Sequence, residues 1–110
     1  MKLLISRNQK AQKGFLGGHK GMTFILSYRV ELTPEESEVI AKYKAEGEVL
    51  TRSGNDEVLT ISDFIKGQTE ELNNVGVLLN NEEVVKKACA DFKMLLDVMN
   101  SFGGQEIIEF

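Results

Sequence analysis

Apolar positions recur along this chain with two different periods, and the stretches where neither holds are as informative as those where one does. Leu3-Leu4-Ile5 is a short apolar run that predicts a buried strand over residues 2–7. From Met22 to Leu32 the period is two: Phe24, Leu26, Tyr28, Val30 and Leu32 share one face, and Thr23, Ser27, Arg29 and Glu31 the other. That alternation predicts a second strand. Between the two, residues 8–21 have no period. Gly14, Gly17, Gly18 and Gly21 disfavour a helix there, so the segment is expected to be a flexible loop.

Thr33-Pro34-Glu35-Glu36 has the chemistry of a helix start, with Thr33 as cap, Pro34 in the first turn and Glu36 closing a capping box. The helix is expected to run to about Glu46 and stop at Gly47. Residues 48–52 and 57–61 predict a β-hairpin around Ser53-Gly54-Asn55-Asp56. Ser62 to Gly67 predicts one helical turn, capped by Ser62 and ended by Gly67. Residues 68–79, around Val75, Val77 and Leu79, read as another strand. Asn80 or Asn81 then caps a second helix whose apolar stripe is Val85, Ala88, Cys89, Phe92, Leu95, Leu96 and Met99. Gly103-Gly104 ends it, and residues 105–110 predict a last strand.

Short connections and a hairpin favour an α+β fold: a largely antiparallel sheet of about five to six strands with two helices packed on one face. Residues 1–110 are expected to form a single domain. Ile25, Leu78 and one member of each apolar hairpin pair, such as Val58/Leu59, fall on the face the helices leave open. Exposed apolar surface of that kind predicts a homo-oligomer.

Charge changes the picture more than composition does. The net charge of -4 hides two opposed regions. Residues 1–30 hold six basic residues (Lys2, Arg7, Lys10, Lys13, Lys20 and Arg29) and no acidic one; all 17 acidic residues lie beyond them. Such asymmetry points either to an anionic partner for the basic part or to two regions that neutralise each other in the fold or across a dimer. The apolar run after Met1 is cut off at Arg7, too short for a secretion signal, and no stretch is long enough to span a membrane. The lone Cys89 fits a reducing compartment, so the expected location is the cytoplasm.

No motif identifies a reaction. Cys89 sits on an apolar helix stripe and is expected to be buried and inert. His19 is the only histidine, which leaves no multi-histidine metal site. Glu35/Glu36 and Glu82/Glu83 are explained as helix starts, and Glu70/Glu71 alternate across a strand. The basic loop is the remaining candidate: Lys10, Lys13, His19 and Lys20 supply charge, Gly17 and Gly18 accessible backbone, and Phe15 an aromatic face for stacking. It is not a P-loop, since His19 precedes Lys20 and a strand follows. The expectation is a non-catalytic binding module, without cofactor or metal, that holds an anionic, nucleotide-like small molecule through this loop. The alternative is an acidic protein-interaction module such as an inhibitor, immunity or adaptor protein. Nucleic acid fits poorly with the acidic majority of the surface.

Overall fold

The computed structural model describes residues 1–13, 19–51 and 58–110, with backbone alone at 12, 13, 19 and 20. Two long strands open it, β1 (Lys2–Lys13) and β2 (His19–Glu31), paired antiparallel from Lys2 opposite Glu31 to Lys13 opposite His19, with a bulge at Gln12/Lys13. Helix α1 (Pro34–Tyr43), a 3-10 turn (Ala45–Gly47), strands β3 (Val49–Thr51) and β4 (Val58–Thr60), helix α2 (Ile61–Lys66), strand β5 (Gln68–Leu72) and helix α3 (Val75–Asn100) follow. Sheet order is β1-β2-β5 in one sheet and β3-β4 in a second, all antiparallel. The fold is α+β.

The alternation in β2 decides which side is covered. Leu26, Tyr28 and Val30 are buried under α2 and α3, and α1 packs on α3 from behind. Tyr28, Phe64 and Phe92 form an aromatic chain through this core, with ring centroids 5.8 and 6.2 Å apart. One register of α3 faces it: Leu78, Glu82, Val85, Cys89, Phe92, Leu96 and Met99. The expected burial of Cys89 is confirmed.

Local chemistry sets the helix ends. Thr33 caps α1 and its capping box with Glu36 is formed as expected. The helix stops earlier than Gly47 suggests, at Tyr43, because Lys44 takes a left-handed conformation (φ 52°) and donates its N–H back to Ala41. α2 is capped two residues before the expected Ser62: Thr60 accepts from the N–H of Asp63, and the Asp63 carboxylate accepts from that of Thr60. Gly67 ends α2 as expected. Its φ of +93° and its closeness to Arg29 Cβ, which an added Cβ would approach to 3.0 Å, require glycine.

Four expectations are corrected. β1 runs to Lys13 and β2 begins at His19, so most of the expected loop over 8–21 is strand. The strand over 68–79 ends at Leu72, and Val75 to Leu79 belong to α3, capped by Asn74 and not by Asn80 or Asn81. Residues 105–110 form no strand. Leu78 is buried in the core, whereas Ile25 does lie on the open face and Val58 is exposed beside buried Leu59. The expected turn at Ser53-Gly54-Asn55-Asp56 lies outside the described residues.

Candidate functional site

β2 pairs with β5 only from Phe24 to Tyr28, while it pairs with β1 over its whole length. Beyond Gln9 and Phe24 the two strands therefore continue as a two-stranded ribbon, with no third strand beside it among the described residues. A radius of gyration of 18.0 Å and extents of 66 × 31 × 22 Å record an elongated shape, where a compact chain of this length has a radius of about 13 Å. All six basic residues of the first thirty lie on these two strands: Lys2, Arg7, Lys10 and Lys13 on β1, Lys20 and Arg29 on β2.

Of the expected site residues, Lys10 lies on the open face of β1, opposite Thr23, and its ammonium donates to Glu71 at 2.9 Å. Lys13 ends β1 and faces His19 in the backbone ladder, with Lys20 following in β2. The hairpin thus brings Lys13, His19 and Lys20 to one end of the ribbon. Phe15, Gly17 and Gly18 lie outside the described residues. Thr23, beside Lys10, is 4% exposed and its hydroxyl has no hydrogen-bond partner among the described residues.

At the root of the ribbon, an ion pair between the exposed Arg7 and the buried Glu82 joins β1 to α3. Arg7 shares the inward face with Leu3 and Ile5, and its guanidinium donates both Nε, at 2.6 Å, and an Nη to the carboxylate of Glu82. Glu82 is 2% exposed, and Lys86 approaches it at 3.4 Å. The bidentate bond from Arg7, opposed by burial and assisted by the charges of Arg7 and Lys86, holds the Glu82 carboxyl below its ordinary range. This pair was recoverable from spacing: Arg7 continues the inward period of β1, and Glu82 falls on the apolar register of α3 between Leu78 and Val85.

Beside that pair lies a cavity of about 610 Å³ lined by Arg7, Asn8, Gln9, Phe24, Val75, Leu78 and Leu79. Val75 and Leu79 are half exposed and Met22 continues the apolar surface outward along the ribbon. This apolar notch is the feature that sequence reasoning missed, because Val75 and Leu79 read as strand residues. A second, polar groove of about 520 Å³ lies on the open sheet face. Ser6, Ser27, Thr69, Arg29 and Lys66 line it, but Ser27 and Thr69 are hydrogen-bonded to each other at 3.1 Å and Arg29 pairs with Glu31 at 3.3 Å.

Among the described side chains, Arg7 is paired with Glu82, Lys10 with Glu71 and Arg29 with Glu31. Glu70 and Glu71 are split as expected, Glu70 accepting from Asn81 and Glu71 from Lys10. Burial pushes the Cys89 thiol up, away from the reactive thiolate. Among the described residues, no three His, Cys, Asp or Glu side chains converge as a metal cluster, and no helix is long and apolar enough to cross a membrane. Comparison with protein-family models, with curated proteins and with solved structures finds no match.

Proposed function

We propose that this chain is a non-catalytic binding module of the cytoplasm whose working element is the projecting β1–β2 hairpin, and that its ligand is an acidic segment of a protein. The observation that carries this is that Lys10, Lys13 and Lys20, half of the basic residues of the first thirty, lie on the part of one ribbon that leaves the body of the fold. A ribbon offers a rod with exposed backbone edges and not an enclosed cage, so it suits an extended anionic partner better than a small nucleotide-like molecule. The apolar notch at its root favours protein over nucleic acid, since it adds a contact for hydrophobic side chains that a phosphate backbone lacks. The free thiol of Cys89 is consistent with a reducing compartment.

A labelled poly-glutamate peptide, with a single-stranded oligonucleotide of equal charge as comparator, tests the reading. The peptide is expected to bind, more weakly as salt rises, and to be lost when Lys10, Lys13 and Lys20 are together changed to Gln. Equal binding by the triple variant, or tighter binding of the oligonucleotide, would contradict it.

A further inference from the structure

Two features at opposite ends of the molecule are each incomplete. At one end, the notch under the hairpin opens past Asn8 onto the outer backbone edge of β1, which pairs with no strand among the described residues. At the other, residues 105–110 follow α3 without helix, strand or a backbone hydrogen bond to other described residues, and they expose Ile107, Ile108 and Phe110. The segment has the composition of a strand, two acids and three large apolar residues, and pairs with no strand among the described residues.

We propose that residues 105–110 of one copy of this chain add as an antiparallel strand to the free edge of β1 in a second copy, seating Ile108 and Phe110 at the apolar notch. This rests on the reading of the hairpin as an interaction element, and it names the partner as a second copy.

Charge, register and reach all favour this occupant. The segment carries Glu106 and Glu109, and β1 carries Lys2, Arg7, Lys10 and Lys13 with no acid. With Phe110 opposite Gln9, Ile108 falls opposite Ala11, and both lie on the inward face that continues into Phe24, Val75 and Leu79. The same register sets Glu109 opposite Lys10 on the open face and Glu106 at the position of Lys13. A chain cannot do this to itself. The notch is lined by Val75, Leu78 and Leu79 at the start of α3, and the 26-residue helix carries the segment about 38 Å away. Residues 101–104, which join the helix to the segment, reach only about 14 Å even when extended. In an elongated molecule with its donor and acceptor at opposite ends, two antiparallel copies can exchange segments reciprocally, which closes a two-fold dimer.

Analytical ultracentrifugation of the full chain across a wide concentration range tests the proposal. The chain is expected to form a dimer. Ile108→Asp with Phe110→Asp, both at residues exposed in their own chain, should keep the circular dichroism spectrum and weaken the dimer by about tenfold or more. A labelled peptide of residues 105–110 should bind that tail-disabled chain, and Leu79→Asp in the notch should abolish the binding. Lys10→Glu and Glu109→Lys should each weaken the dimer and together restore it. A monomer at every concentration that binds no peptide, a dimer indifferent to the tail substitutions, or peptide binding indifferent to Leu79→Asp would overturn the proposal. A monomer that still binds poly-glutamate through Lys10, Lys13 and Lys20 would overturn the exchange alone and leave the hairpin reading standing.

Discussion

Arg7 and Glu82 are the residues on which the hairpin's attachment turns. With Arg7 changed to Ala, the buried Glu82 keeps only Lys86 nearby, so burial should dominate and its carboxyl should titrate at higher pH than in the parent. A carboxyl-resolved NMR titration checks this, and an unchanged Glu82 would contradict it. Glu36 offers a second acid-sensitive contact. Burial alone would raise its carboxyl, but hydrogen bonds from the Met1 ammonium and from Thr33 outweigh it and bring the value from 4.5 down to about 2. A depressed folded value stabilises the fold fully above the ordinary one and is lost as pH falls toward the folded one. Stability should therefore decline between pH 4.5 and about 2, and Glu36→Gln should flatten that decline in denaturant melts. Thr23 runs the other way: its buried hydroxyl has no partner among the described residues, so Thr23→Val should raise stability by about 1 kcal/mol, and a lowered melting temperature would show that the hydroxyl has a partner.

Among the elements, α3 and the hairpin were the least legible in the sequence, for different reasons. Residues 75–79, Val-Gly-Val-Leu-Leu, have the composition of a strand, but the Asn74 side chain accepts from the N–H of Val77 and Leu78 begins the register that buries Glu82 and Val85. Packing overrides propensity there. Asn74→Ala should cost about 1 kcal/mol, measured by chemical denaturation. β1 beyond Arg7 was invisible for another reason. Alternation reports burial of one face, and residues 7–11 are exposed, so Asn8, Gln9 and Lys10 carry no period though they pair with Ile25, Phe24 and Thr23. Residues 105–110 failed in reverse: they have the composition of a strand, but they pair with no strand among the described residues. β2, the Thr33 cap and the stripe from Val85 to Met99 were legible because a single buried face or a local capping bond determined each.

For the whole molecule, the division of charge along the sequence becomes a division in space. The basic segment is one hairpin, and it is tied by Glu82 and Glu71 to the acidic remainder. Lys10, Lys13, His19 and Lys20 were legible as a basic cluster from sequence; the notch of Phe24, Val75 and Leu79 was not, since it is created by the crossing of a strand and a helix distant in sequence. The most direct measurement of the account replaces residues 10–23 by Asn-Gly, which closes the hairpin at the Gln9 and Phe24 pair and leaves Leu26, Tyr28 and Val30 in place. The parent and the shortened chain are both expected to unfold cooperatively, and the shortened chain to lose the binding of labelled poly-glutamate in fluorescence anisotropy. A folded, shortened chain that binds the peptide as well as the parent would contradict the assignment of binding to the hairpin.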